Sequence, residues 1–378
     1  MAKKLWFYLH WFLGLTAGFV LMIVGVSGAL LSFEKEILES INHSSLHVSV
    51  PAKAEPLSMD ALVQHFVESH KDARIAGVTK ASDPSSSFMI HVETSNNQKK
   101  SIATYYLNPY NGDELPELRG KALFQTILEI HRRLLFGDVG KNIVGASTLA
   151  LILLMVSGVY LYWGSLRKNL LSSMKVNFRI KGRGFLYKLH SALGVWVLIP
   201  FTLLALTGLF WSYDWYKSSI YTLLDVQRPA KKMKQMESQK LPTTRTYETF
   251  DRALELFHDM NKKPYETAML RALTPQHRIE ISYTDTHAPH TRARNTMVVD
   301  VQEHMLISHT RYDEKRLGER LIISMLPLHS GEYFGIVGRT VMCIASLSML
   351  VLGISALLLY LDRRKKRRLK HTKLQSTL

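Results

Sequence analysis

Four long apolar stretches interrupt this chain of 378 residues, and they restrict its fold more than any other feature. The first, Leu5–Phe33, is almost continuously apolar, and about 20 such residues are enough for a helix to cross a bilayer. A cleaved signal peptide is disfavoured, because its apolar region is usually only about 7–15 residues long and no Ala-x-Ala cleavage site follows here. We therefore predict four membrane-spanning helices, over Leu5–Phe33, about Ile143–Trp163, about Leu186–Trp211 and about Ile336–Tyr360.

The distribution of charge predicts how these helices cross the membrane. A formal net charge of +17 could indicate a nucleic-acid binder. However, the N-terminus, the short loop between spans two and three and the C-terminal tail together hold 17 basic residues and one acidic residue, whereas the two long segments hold 30 of each. Because Lys and Arg are enriched in cytoplasmic loops, we predict that both termini are cytoplasmic and that the long segments lie outside. The basic excess then contacts anionic lipid headgroups, and no nucleic acid is expected as a partner.

The chain repeats its own pattern. Each half reads as an LHxxxG helix, an outer segment, an H-x4-FGxxG-(K/R) motif and a second helix. With offsets of 180 for the first helices and 198 for the second, the motifs match His10 with His190, Gly14 with Gly194, Gly28 with Gly208, His131 with His329, Gly140 with Gly338 and Ser157 with Ser355. Because both halves start on the same side of the membrane, this is a parallel repeat about an axis along the membrane normal. It predicts a four-helix bundle with two-fold pseudosymmetry.

The two outer segments share an order of elements. Amphipathic patterning predicts one helix over Ser58–His70 and another over about Tyr247–Met260. Strand-like stretches follow each helix, at about Arg74–Lys80, Phe88–Glu93 and Ile102–Asn108, and at about Thr267–Ala272, Arg278–Tyr283 and Thr296–Val301. Flexible linkers are predicted over Ser44–Pro56 and Gln227–Pro242. Each outer segment is therefore predicted to form a small α+β domain.

Paired histidines are the strongest chemical signal among the 16 histidines of the chain. His10 and His190 lie toward the cytoplasmic ends of their spans, and His131 and His329 lie just before spans two and four. Ionisable groups within a membrane are costly, and they mark functional sites. The pseudosymmetry should place the two members of each pair opposite one another, as a b-type haem with two axial histidines requires. We therefore predict two haem b groups, one near each face of the membrane.

Other readings of these histidines remain open. Two histidines alone make an incomplete zinc site, and a proton relay through histidine is also conceivable. A cluster of outer histidines could bind metal but lacks recognisable ligand spacing: His277, His287, His290, His304 and His309. The single cysteine, Cys343, excludes an intrachain disulfide, a Cys-rich zinc site, an iron–sulfur cluster and covalent haem attachment through a CxxCH motif.

Residues around the pairs fit a flat macrocycle. Glycines on the first and third spans could let a porphyrin approach the backbone, although helix packing through small residues explains them equally well: Gly14, Gly18, Gly25, Gly28, Gly194 and Gly208. Arg132, Arg133, Lys141 and Arg339 could hold haem propionates or, alternatively, anchor lipid headgroups. Trp211, Tyr213 and Trp215 are typical of an aromatic belt at the outer interface.

Several motifs together resemble the PepSY-associated transmembrane family, of the iron-regulated inner-membrane PiuB and FoxB type. They are LHWFLGL (9–15), VSGALLSFEKEI (26–37), LNPYNGDEL (107–115), HRRLLFG (131–137), LHSALGVW (189–196), LTGLFW (206–211) and HSGEYFGIVGR (329–339). The resemblance implies two PepSY-like outer domains, a location in the bacterial inner membrane and the reduction of ferric siderophores at its periplasmic face. It also implies that His10, His190, His131 and His329 ligate haem iron.

These expectations define a domain plan and three hypotheses. The plan is span 1 (5–33), outer domain 1 (34–130), His motif and span 2 (131–163), basic loop (164–185), span 3 (186–211), outer domain 2 (212–328), His motif and span 4 (329–360), and basic tail (361–378). The preferred function is a ferric-siderophore reductase that takes electrons from a cytoplasmic donor through the two haems, with Arg132, Lys141 and Arg339 at the outer one. The chain has no GxGxxG or P-loop motif, so we do not expect it to bind NAD(P)H or ATP itself, and the sequence does not identify the cytoplasmic electron donor. A siderophore permease and a membrane-anchored PepSY regulator or protease-binding protein are the alternatives.

Overall fold

The apolar stretches fold as helices, and the described residues of the two long segments between them supply seven strands. A computed structural model of the chain describes residues 1–52, 54–96, 99–229, 249–273 and 277–375. The helices are α1 (Ala2–Leu31), α2 (Glu34–Ile41), α3 (His43–Leu46), α4 (Met59–Ser69), α5 (Lys121–Arg133), α6 (Gly137–Leu166), α7 (Leu170–Ser173), α8 (Gly182–Trp196), α9 (Leu198–Ser212), α10 (Asp214–Leu223), α11 (Phe250–Met260), α12 (Leu317–Ile323), α13 (Met325–Ser330) and α14 (Gly335–Gln375). The strands are β1 (Arg74–Ala81), β2 (Phe88–Asn96), β3 (Lys99–Leu107), β4 (Tyr265–Ala272), β5 (Arg278–Asp285), β6 (Arg294–Asp300) and β7 (Met305–Thr310).

These elements form two compact units. The span unit comprises Met1–Glu34, Ala122–Leu223 and Met325–Leu378, and the sheet unit comprises Lys35–Lys121 and Leu224–Ser324. The predicted domain boundaries at 130 and 328 therefore shift. Helices α5 and α13, which carry His131 and His329, belong to the span unit rather than to the segments before them.

Within the part of the span unit that the structure describes, three helices, α1, α6 and α14, are long and apolar enough to cross a membrane. Helices α8 and α9 pass the same test as a pair, but they are bent by 59° at the residue between them, Val197. Pro200 has no N–H to bond the carbonyl of Trp196, the last residue of α8, which accounts for the break at this point. The predicted continuous third helix over 186–211 is therefore corrected to two helices.

Small residues allow the long helices to approach closely. Helix α1 contacts both α6 and α14, while α8 contacts α14 and α9 contacts α6. A Cβ atom on Gly25 of α1 would lie 2.6 Å from the carbonyl oxygen of Ser346 on α14, and one on Gly353 would collide with the side chain of Met22. At Gly25 the choice left open by the sequence is thus settled in favour of helix packing.

The sheet unit is built around one antiparallel sheet of seven strands in the order β3-β2-β1-β4-β5-β6-β7. Strands β1 and β4 pair with one another, Val78 opposite Leu270, and so join the two outer segments. This corrects the prediction of two separate small domains. Each segment alone would leave β1 or β4 as an unpaired edge, and their pairing removes both edges.

Alternating burial explains which residues form the sheet core. In β5 the side chains of Ile279, Ile281 and Tyr283 are buried, and they form one cluster with Phe66 of α4 and Phe257 of α11. Both predicted helices and all six predicted strands of the outer segments are present, although the start of the second helix at Tyr247 and most of the Gln227–Pro242 linker lie outside the described residues. Strand β7 follows a tight turn with His304 at φ 50°, and no Gly or Pro in the sequence signals that turn.

Candidate functional site

The four histidines singled out in the sequence form two close pairs in the span unit. The ring centroids of His10 on α1 and His190 on α8 lie 6.3 Å apart, with an interplanar angle of 84°. Those of His131 on α5 and His329 on α13 lie 6.2 Å apart, at 67°. The two pairs are well separated along α1, because His131 bonds the carbonyl of Val24, and 14 residues of helix rise by about 21 Å.

A hydroxyl group on another helix contacts the Nδ1 atom of every paired histidine. The four contacts join His10 to Ser157 Oγ (2.8 Å), His190 to Ser355 Oγ (3.0 Å), His131 to Ser27 Oγ (3.2 Å) and His329 to Thr207 Oγ1 (2.9 Å). Nδ1 is thereby occupied in all four rings, which leaves Nε2 as the nitrogen available to a ligand or metal.

A tight turn after His131 and another after His329 lead into the next long helix. In the first turn Leu134 and Leu135 adopt positive φ angles of 51° and 63°, and in the second Gly331 does so at 83°. A Cβ atom on Gly140 would collide with the carbonyl of Arg133, and one on Gly338 would collide with the carbonyl of Gly331. The second glycine of each FGxxG motif is therefore required because the turn packs its backbone directly on that residue.

Further glycines make room for the imidazole rings themselves. A Cβ atom on Gly28 would lie 3.0 Å from Cε1 of His131, and one on Gly208 would lie 3.4 Å from Cε1 of His329. Gly158 stands in the same relation to His10, at 3.4 Å. These glycines accept a histidine ring against the helix backbone, a role distinct from the packing role of Gly25.

The donor set fits a haem iron held by two axial histidines. An imidazole nitrogen lies roughly 1.1 Å from its ring centre and a metal–nitrogen bond measures about 2.0–2.1 Å, so two rings sharing one metal have centres roughly 6.3 Å apart. Both pairs have this spacing. Among the described residues, no group of three or more His, Cys, Asp or Glu side chains converges as a metal site, so each pair offers two protein ligands only.

The basic residues predicted near the outer pair take different positions. Arg132 is exposed at the end of α5, and Lys141 is half-buried in the second turn of α6. Arg339 is half-buried on α14, with its guanidinium carbon 5.9 Å from the ring centre of Phe33. Trp211 contacts this pair directly, since its ring centre lies 5.5 Å from that of His329.

A family model supports the resemblance found in the sequence. The model described as the PepSY-associated TM region matches residues 7–363, which is nearly the whole chain and includes all four paired histidines. The chain belongs to the PepSY-associated transmembrane family. A search of curated proteins found no match to it. Family membership makes it a membrane protein associated with PepSY domains, which agrees with its three long apolar helices and the bent α8–α9 pair.

In this PepSY-associated protein, the hydroxyl residues beside the histidines are the functional candidates that the sequence interpretation missed. The repeat carried a signal for them, because the offset of 198 matches Ser157 with Ser355 and the offset of 180 matches Ser27 with Thr207. Serine and threonine are common in membrane helices, where they usually bond their own backbone. Only the fold shows that these four also contact a histidine.

Three histidines of the predicted outer cluster each have a different polar partner in the sheet unit. His277 lies 3.3 Å from Asp300, His309 Nε2 lies 2.7 Å from the Tyr283 hydroxyl, and His290 Nε2 lies 2.9 Å from Ser324 Oγ. Each has a polar neighbour of its own, so these three histidines act as local structural groups in the sheet unit.

Proposed function

We propose that this PepSY-associated protein is a haem b-containing ferric-siderophore reductase of the bacterial inner membrane. One observation carries the proposal: two imidazole pairs, near opposite ends of the spans, each have the spacing that one metal ion shared by two imidazoles would require. Two isolated histidines in a membrane are expensive, and a repeat that supplies two matched pairs favours a cofactor role over a packing role.

In the proposed reductase, the four histidines and three basic residues lie at defined sides of the membrane. The bent α8–α9 pair counts as one span, so the chain crosses the membrane four times as a parallel repeat with both termini in the cytoplasm. His10 and His190 would ligate the haem on the cytoplasmic side, and His131 and His329 the haem on the periplasmic side. Arg132, Lys141 and Arg339 would pair with propionates at the periplasmic side. The bound haems would supply reversible one-electron transfer.

The reaction is a balanced one-electron reduction. A cytoplasmic donor gives one electron, and the ferric ion of a siderophore in the periplasm accepts it and becomes Fe(II), which oxygen ligands hold more weakly. No protein nucleophile or general base is needed, since no covalent bond to the siderophore is made or broken. The histidines orient the redox groups, and the apolar helices around them exclude water.

An absorption spectrum of the purified protein tests the cofactor. We expect the Soret and split visible bands of low-spin haem with two axial histidines, and two haems per chain by pyridine haemochrome. Protein expressed with ample haem that purifies colourless would contradict the proposal. In proteoliposomes containing an enclosed reductant, Fe(II) should then form from ferric siderophore added outside, and omission of the reductant should abolish it.

The break in the third span favours a second candidate, a siderophore permease. Transporters often build their binding sites from interrupted helices, and α8 and α9 form such an interruption at 59°. Uptake of intact ferric siderophore by proteoliposomes that lack any reductant would support the permease. Fe(II) formation without uptake would support the reductase.

A further inference from the structure

Four hydroxyl side chains, one on each of α1, α6, α9 and α14, form the same arrangement with four histidines. We infer that Ser27, Ser157, Thr207 and Ser355 are positioning residues that fix each histidine with its proton on Nδ1 and present Nε2 to iron. The presentation of Nε2 to iron rests on the proposed function. The protonation of Nδ1 does not, and it can be measured on haem-free protein.

The hydroxyl protons are already used within the helices. Each hydroxyl lies within donating distance of a carbonyl three or four residues earlier in its own helix: Ser27 to Ile23 (2.8 Å), Ser157 to Leu153 (2.6 Å), Thr207 to Leu203 (2.5 Å) and Ser355 to Leu352 (3.0 Å). A hydroxyl has one proton and two acceptor lone pairs. With that proton given to a carbonyl, the oxygen can only accept from the imidazole, so the proton of the ring belongs on Nδ1.

A backbone carbonyl supports the same assignment at His131. The carbonyl of Val24, three residues before Ser27, also bonds the ring of His131. A carbonyl has no proton, so the imidazole must donate to it. For His131 the atom involved is Nδ1, at 3.0 Å from the Val24 oxygen.

This arrangement has two consequences for a metal. The second hydrogen bond of a ligating histidine selects its tautomer and orientation, and loss of such a partner typically weakens metal binding about 10–100-fold. The hydroxyls also fix the ring planes, which are nearly perpendicular in the His10/His190 pair. A ring freed from its hydroxyl can rotate or move its proton to Nε2, and that tautomer cannot bind iron through Nε2.

Substitutions at one hydroxyl residue of each histidine pair, Thr207 beside His329 and Ser355 beside His190, test the inference with matched controls. Thr207→Val keeps the shape of threonine but removes the hydroxyl, whereas Thr207→Ser keeps the hydroxyl. Ser355→Ala is matched by Ser348→Ala on the same helix, because Ser348 is also buried and bonds the carbonyl of Ile344 at 2.7 Å without a hydrogen bond to a histidine.

We expect Thr207→Val and Ser355→Ala to weaken haem binding at their own pair by roughly 10-fold or more. The electron paramagnetic resonance signal of that low-spin haem should change, and its reduction potential should rise because a less basic imidazole stabilises ferric iron less. Thr207→Ser and Ser348→Ala should match the parent protein. The inference would be overturned if Thr207→Val and Ser355→Ala bound haem with the same affinity, resonance signal and reduction potential as Ser348→Ala.

A measurement on haem-free protein separates this inference from the proposed function. Nitrogen-15 resonances of the histidine side chains should report Nδ1-protonated rings for the parent protein, with a mixture of tautomers appearing for the affected ring in Thr207→Val. If the parent binds no haem but shows these tautomers, the proposed function fails and the positioning role stands. If the parent rings are protonated on Nε2, the positioning role fails whatever the haem content.

Discussion

At the scale of single residues, the paired histidines have surroundings that a histidine serving only to pack helices would not need. Three of the four rings lie against a glycine of another helix: His10 beside Gly158, His131 beside Gly28 and His329 beside Gly208. Each ring also faces a second imidazole at about the same separation in both pairs. Burying two such polar rings in an apolar bundle costs free energy, and a ligand bound between them would offset that cost.

The first prediction concerns the ligands one by one. His131→Ala and His329→Ala should each reduce the haem content from two per chain to about one, because an iron with one remaining axial histidine is held less tightly. The haem at His10 and His190 should be spared, since the pairs lie about 21 Å apart along α1. Pyridine haemochrome measures the content, and the exposed His287→Ala is the control. Loss of both haems in either variant would contradict independent sites.

A second prediction concerns the glycines of the two turns. Gly140→Ala and Gly338→Ala should each destabilise the span unit by about 1–3 kcal/mol, because the added methyl group collides with a backbone carbonyl that cannot move aside cheaply. Gly194→Ala is the matched control, since its Cβ meets no atom within 4 Å. Thermal unfolding in detergent measures the difference. Equal melting temperatures for Gly140→Ala and Gly194→Ala would show that the turn is not packed as described.

At the scale of elements, α4 and α11 of the sheet unit are joined by reciprocal caps. The carboxylate of Asp60 on α4 accepts from the backbone N–H groups of Phe250 and Asp251, at 3.0 and 3.1 Å. The carboxylate of Asp251 on α11 accepts from those of Met59 and Asp60, at 2.8 and 2.9 Å. Each helix start therefore satisfies its free N–H groups with a side chain of the other segment.

The third prediction follows from the reciprocal caps, which place the carboxyl groups of Asp60 and Asp251 near one another. Burial, together with the nearby Asp251 carboxylate, raises the pKa of Asp60 to about 7, although the backbone N–H bonds oppose the shift. A raised pKa in the folded state contributes stability that is full below the unfolded value of 3.8 and is lost as the pH rises through about 7. The sheet unit should therefore lose about 1–2 kcal/mol between pH 4 and pH 8, after allowance for solvent screening of a half-exposed group.

Urea unfolding followed by the circular dichroism of the sheet tests this pH dependence. Asp60→Asn should remove most of this pH dependence, because an amide does not titrate. Its single oxygen can accept from only one of the two backbone N–H groups, so the variant is less stable overall and the slope with pH is the quantity compared. Asp72→Asn, at an exposed position, serves as the control and should keep the parental slope. A stability that rises between pH 4 and pH 8 in the parent relative to Asp60→Asn has the opposite sign and would refute the assignment.

At the scale of the whole molecule, two segments about 190 residues apart in sequence share one sheet. The central pair, β1 with β4, is the junction, and its register places Ala81 opposite Thr267. Residue Thr284 on β5 lies on the far side of Thr267. The outer segments are therefore one folding unit, although each contributes its own helix and at least three strands.

The fourth prediction tests this junction. In a Cys343→Ser background, Ala81→Cys with Thr267→Cys should form a disulfide, because directly opposed residues of an antiparallel pair lie within reach of one. Ala81→Cys with Thr284→Cys should not, since two strand spacings of about 4.8 Å exceed the roughly 7 Å limit. Peptide mass spectrometry under oxidising conditions reads out the link. Equal linkage in both pairs, or none in the first, would disprove the shared sheet.

The local pattern of the sequence determined the elements of this protein and its chemical candidates. Apolar length gave the spans, period-two alternation gave strands such as β5, and the internal repeat identified His10 with His190 and His131 with His329. These signals depend on interactions between residues near one another in sequence, or on comparison of one half with the other, so they can be read without a fold.

Tertiary structure alone decided how these elements meet. The pairing of β1 with β4 joins distant strands that carry no sequence signal for one another. The four hydroxyl contacts to histidine are equally non-local, with partners 104 to 165 residues apart. Such contacts arise from the packing of whole helices, which is why Ser27 and Thr207 look like ordinary helix residues until the fold sets each beside an imidazole.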